Sequence, residues 1–91
     1  MTTYAKVVGG VLRIHRIHRG IELNAMSAAM GFRSLSGWSR VETGDTTPTV
    51  EQVHRAARYF GVTAHALMQE ADTTWASLET AGEVAAPQRM R

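Results

Sequence analysis

The sequence predicts an all-α domain of five short helices, and three observations carry that prediction. Apolar residues recur three and four apart along most of the chain, the period of a half-buried helix, and no strand-like alternation is present. Glycines 20, 31, 44 and 61 fall where the periodic segments end. Hydroxyl residues stand at the start of three segments, where a side-chain oxygen can accept from free backbone N–H groups. A chain of 91 residues suits one domain with one modest core.

The first helix is expected from Tyr4 to Arg19, with Val7, Val11, Ile14 and Ile17 as its inward stripe and Gly20 as its stop. A second covers Leu23 to Met30, turning Met26, Ala29 and Met30 inward; Asn24 or Glu22 stands at its start and Gly31 at its end. The third runs from Leu35 to Glu42, capped by Ser34 and stopped by Gly44, with Trp38 and Val41 pointing inward. Thr49-Val-Glu-Gln52 has the form of a capping box, in which two end groups satisfy each other's backbone donors. It launches a fourth helix through Phe60, with Val50, Val53, Ala57 and Phe60 along one stripe and Gly61 beyond. Thr63 caps a short fifth helix anchored by Leu67 and Met68.

These elements delimit a domain at residues 4–70. Residues 71–91 change character and form a C-terminal extension. Asp72 to Thr80 suits one more short helix presenting Trp75 and Leu78, while Gly82, Ala85, Ala86 and Pro87 read as a frayed tail. Two placements suit Trp75 and Leu78: packing back on the core, or a homodimer interface, where aromatics are enriched.

Composition excludes several classes. Without cysteine there is no disulfide framework and no thiolate metal site, as expected of a protein of the reducing cytoplasm. No apolar run approaches the roughly 18 residues of a membrane span, and the N-terminus lacks the apolar core of a signal peptide. Net charge is +2, unevenly spread. Residues 1–40 hold six cations and one acid, net +5; residues 41–91 hold four arginines and seven acids, net −3. The positive half contains the third helix, as a polyanionic partner would favour; arginines snorkelling over apolar surface give the same balance.

The third helix is the most informative. With only Trp38 and Val41 to bury, it must dock on neighbours and leave Ser36, Gly37, Ser39 and Arg40 outside. Small side chains with one arginine suit insertion into a nucleic-acid groove, since they permit close approach and the arginine reaches a base edge.

In order and spacing these residues resemble the lambda-repressor/Cro-like helix-turn-helix family, also called the xenobiotic-response-element type. The resemblance covers Val8 to Met68. Leu12, Arg13 and Arg16 followed by Gly20-Ile21 are similar to the family's first helix and turn. Trp38-Ser-Arg-Val-Glu42 with Gly44 is similar to the end of its reading helix, and Pro48 through Phe60-Gly-Val62 with Leu67 to its last two helices. Three positions depart from the pattern. Leu23 stands where the family usually has Gln, and His15 where it is usually apolar. The Gly31-to-Glu42 interval is one residue longer, so the turn at Phe32-Arg33 is expected to bulge.

The resemblance implies a compact five-helix domain that binds double-stranded DNA in a sequence-specific way without a cofactor. It places Ser34, Leu35, Ser36, Gly37 and Arg40 toward the bases. Arg40 has the fork to bridge guanine O6 and N7, Leu35 suits a thymine methyl, and Gly37 would allow close backbone approach. Phosphate contacts fall to Arg13, Asn24, Arg33, Ser39, Thr43, Thr46 and Thr47. Arg16 and Glu42 correspond to a largely buried structural ion pair, which fixes orientation more than it adds stability. The expected mode is a dimeric repressor on an inverted repeat, in the cytoplasm of a bacterium or encoded by a phage, associated with the nucleoid. The alternatives are an antitoxin-like or other protein-interaction module on the same fold, or a domain that has exchanged DNA for protein contacts.

Metal and catalytic chemistry are not expected. His15 and His18 lie three apart on a helix, but no cysteine or well-placed acid completes a zinc ligand set. No nucleophile elbow or phosphate-binding glycine loop is present, and short helices around a small core leave little room for a substrate pocket.

Overall fold

A computed structural model describes residues 2–84; the expected tail from Ala85 onward lies outside the described residues. These residues form five helices: α1 (Tyr4–His18), α2 (Leu23–Ala29), α3 (Leu35–Thr43), α4 (Val50–Phe60) and α5 (Ala64–Thr80). Three caps work as their residue types dictate, whereas Ser34, expected to cap α3, stands at the cap position without a side-chain bond to a backbone amide. Thr3 accepts from the Lys6 amide and Thr63 from the Ala66 amide, while Thr49 and Gln52 form both bonds of the capping box. At α2 the cap is Glu22, without a side-chain bond.

Trp38, Leu12, Met26, Leu67 and Val41 are the largest fully buried side chains, so the core is gathered around the middle of α1 and the inner face of α3. The two helices cross at Gly9, where an added Cβ would lie 2.2 Å from the Val41 carbonyl oxygen. Any side chain there would drive α3 off α1.

Three expectations are corrected. The stripe of α1 is rotated: Val7 and Val11 are buried, but Ile14 is 57% and Ile17 51% exposed. The inward positions are Val8, Leu12 and then His15, whose ring stacks on Phe60 at 5.6 Å and whose Nε2 lies 2.8 Å from the Glu70 carboxylate. A histidine thus occupies the position the apolar period assigns to an aliphatic residue, so apolar periodicity alone points to the wrong face. On α4, Val53, Ala57 and Phe60 are buried, whereas Val50, at the first helical position, stands clear of the core at 87% exposure.

The third correction concerns the C-terminus. No second short helix begins at Asp72; α5 runs unbroken from Ala64 to Thr80, since nothing between Glu70 and Trp75 stops a helix. Trp75 packs edge-on against Tyr4 at 5.5 Å, and both Trp75 and Leu78 lie against the core cluster. The Tyr4 hydroxyl donates to Asp72, tying the start of α1 to α5. Burial, followed by the bond to Asp72 and its negative charge, pushes the Tyr4 phenol up to about 12. An isolated bridge from Thr2 to Val84 closes the same end.

Candidate nucleic-acid interface

α3 is set by a polar knot on its inner face. Glu42, buried among apolar residues, accepts from Arg16 Nε at 2.7 Å and Nη2 at 3.1 Å, and from Trp38 Nε1 at 2.7 Å. The remaining guanidinium nitrogen donates to the Ile21 carbonyl at 2.8 Å. One carboxylate therefore joins α1 to α3, and one arginine joins both to the turn before α2. Every buried donor and acceptor of the knot has a partner, the condition under which a buried charge pair is tolerable. The Trp38–Glu42 bond is legible in principle from sequence, because residues four apart on a helix are neighbours.

The longer turn between α2 and α3 is pinned rather than loose. Ser27, buried in α2, holds it twice: its carbonyl accepts from the Phe32 amide at 3.0 Å, and its hydroxyl donates to the Ser34 carbonyl at 2.7 Å. The Phe32 ring then folds back over α3, 6.2 Å from the Trp38 ring. A Cβ on Gly37 would sit 2.2 Å from Phe32 Cδ1. The space beside Gly37 is thus filled by Phe32, which gives the glycine a packing reason. The sequence shows the extra residue but does not announce Phe32 and Ser27 as the side chains that absorb it.

With Trp38, Val41 and Glu42 inward, the positions left on the outer side of α3 are Ser36, Arg40 and Thr43, spaced four and three apart, with half-buried Ser39 at the edge. Arg40 is exposed, and its side chain makes no ion pair among the described residues. Its carbonyl accepts from the Thr43 hydroxyl at 3.2 Å and the Thr46 amide at 3.1 Å, so both threonines gather at the C-terminal end of α3. At the other end the Ser34 and Ser36 hydroxyls bond each other at 2.9 Å, and Leu35 is 46% exposed.

The phosphate candidates are more scattered. Arg33 is exposed beside the start of α3, and Asn24 is exposed on the first turn of α2. Arg13 is exposed on α1 between Gly9 and Arg16, four and three residues from the points where α1 meets α3. Thr47 lies apart from this group: it lines a groove between α1, α4 and α5.

This arrangement is a helix-turn-helix pair, α2 and α3, locked onto a three-helix frame, and the helix-turn-helix domain profile matches residues 7–71. The chain belongs to the helix-turn-helix family. Two crystal structures of the clp gene regulator ClgR from Corynebacterium glutamicum share the fold. One superposes with a TM-score of 0.79 at 23% identity, covering 90% of this chain and 85% of the other. The second gives 0.73 at 20% identity, covering 81% and 95%. No curated protein sequence matches the chain. Among the described residues no helix is long and apolar enough to cross a membrane, and no cluster of three potential metal ligands is present.

Proposed function

We propose that this helix-turn-helix protein is a sequence-specific transcriptional regulator that inserts α3 into the major groove of double-stranded DNA. The observation that carries this reading is the contrast between the two faces of α3. Its inner face is fixed by the Glu42 knot, while its outer face offers small hydroxyl residues around an arginine with no carboxylate partner among the described residues. A rigid helix with a free guanidinium is suited to bidentate reading of guanine, because the fork need not reorganise before it binds.

In this reading Arg40 and Ser36 face base edges, with Ser34 and Leu35 at the entering end. Arg13, Asn24, Arg33, Ser39, Thr43 and Thr46 serve the phosphates. Gly37 and Thr47 drop out of the DNA-facing set, since Phe32 covers the first and the second lines a separate groove. The protein acts as a dimer on an inverted repeat with half-sites about one helical turn apart. It represses by occupying a promoter, in the cytoplasm of a bacterial host.

The test is binding to the DNA upstream of its own gene, repeated across salt concentrations. A specific complex should lose affinity steeply with salt, with a slope of about −0.9 per phosphate neutralised. Undetectable or salt-insensitive binding would favour a protein-interaction module instead.

A further inference from the structure

The expectation that so small a domain leaves no room for a pocket does not hold at the surface. α4 stands off from α1 and, with α5, encloses an open groove of about 1120 Å³. That is slightly above the roughly 300–1,000 Å³ of small-molecule sites. Helix size and core size do not forbid it, because the space lies between helices rather than within the core.

We propose that this groove is a binding site for a small amphiphilic anion, an apolar chain or ring system carrying one carboxylate. Two features of the groove point to that chemistry. Its apolar wall is made by Val8 of α1, Val50 and Val53 of α4 and Met68 of α5. Val50, the most exposed large aliphatic side chain among the described residues, stands in this wall at 87% exposure although α4 has a core face available three residues later. An apolar ligand would cover it.

The second feature is charge. Arg55 and Arg58 of α4 line the groove together with a single carboxylate, Glu51. The ion pairs among the described residues are His15–Glu70 and Arg16–Glu42, so neither arginine is neutralised by an acid. Arg55 donates to the Met30 carbonyl at 3.3 Å, which leaves Arg58 as the cation with its donors free for a ligand. An apolar wall beside an unneutralised guanidinium selects a molecule with an apolar body and an anionic head. A neutral or cationic amphiphile of the same length satisfies only the wall.

The site lies apart from the outer face of α3, so its test does not depend on DNA binding. Decanoate and decylammonium below their critical micelle concentrations, and decanol below its solubility limit, are titrated into the full chain while methyl NMR signals are followed. Decanoate should shift the Val8, Val50, Val53 and Met68 methyls saturably and bind about three- to tenfold more tightly than decanol, with decylammonium weakest. Arg58→Glu is on an exposed position and should keep the native amide spectrum. It should abolish the preference for decanoate over decylammonium. Equal binding of all three headgroups, or shifts confined to Ile14 and Ile17 on α1, would overturn the proposal. So would saturable shifts from an acidic amphipathic leucine/glutamate peptide with none from decanoate, an outcome that assigns the groove to a protein partner.

Discussion

The two flanks of α1 are finished in opposite ways. Toward α3 the helices touch backbone to backbone at Gly9, and Arg16, Glu42 and Trp38 leave no polar group unpaired. Toward α4 the helices stand apart, apolar side chains line an open groove, and two arginines lack acid partners among the described residues. Both flanks combine apolar side chains with arginine. The two proposed functions account for the difference. A surface that reads a rigid duplex must be held at fixed angle and height, whereas a surface that accepts a ligand must keep unfilled space. With α3 reading DNA and the groove taking a ligand, as proposed above, the knot and the groove would meet those two requirements within one helix's reach.

The most severe way to break the contrast is to cut the knot. Glu42→Ala leaves Arg16 buried without its carboxylate and Trp38 Nε1 without its acceptor. We expect a loss of about 3–5 kcal/mol in urea unfolding. A loss below about 1 kcal/mol would mean that the pair is as weakly coupled as a surface ion pair.

The next largest effect lies at the far end of the frame. Truncation after Ala71 removes Trp75 and Leu78 from the core and breaks the Tyr4–Asp72 tie. It should cost about 2–4 kcal/mol, because apolar area is no longer buried and Tyr4 no longer packs against an aromatic ring. A separate short helix at Asp72 would leave a folded, weakly binding monomer after this truncation; the continuous α5 predicts a destabilised one. Thermal unfolding with a parallel sedimentation measurement separates a core role for the segment from a dimer role.

A finer probe addresses the turn. Gly37→Ala should cost about 1–3 kcal/mol, because its methyl overlaps the Phe32 ring. Phe32→Ala alone exposes part of Trp38, but it should erase most of the penalty of Gly37→Ala in the double variant. The double-variant cycle reads this directly: additivity within about 0.3–0.5 kcal/mol would show that the two positions do not press on each other.

The smallest effect is alkaline. The Tyr4 phenol is raised in the folded protein, so folding favours its neutral form. Its contribution is complete below about pH 10 and is lost as pH climbs through about 12. Tyr4→Phe should show a flatter decline across that window in denaturant titrations at fixed salt. An unchanged decline would assign alkaline unfolding to other groups.

The readability of the chain follows the same division. Helix ends are legible because capping hydroxyls and terminal glycines act locally: Thr49 with Gln52 and Gly61 need no tertiary partner to declare a boundary. The inner face of α3 is legible from Trp38 and Val41, which have one way to be buried. Features decided across the fold are not. Ile14 and Ile17 have the right period, yet His15 takes the inward place because Phe60 and Glu70 await it from α4 and α5. Val50 has the right period too, but it sits at the edge of a groove that no local pattern announces. Phe32 reads as an insertion, and its role depends on a glycine five residues away having no side chain.

The central claim is that the outer face of α3 reads base sequence through Arg40. It is tested most directly by measuring the affinity of wild type, Arg40→Ala and Arg33→Ala for the operator and for copies carrying single base-pair changes. Arg40→Ala should lose about 1–3 kcal/mol on the operator and relax discrimination at one base pair of each half-site. Arg33→Ala should weaken binding to all sequences alike and lower the salt slope by about one per subunit. If Arg40→Ala retains the full wild-type preference at every operator position, Arg40 does not read a base and the assignment of α3's outer face is wrong.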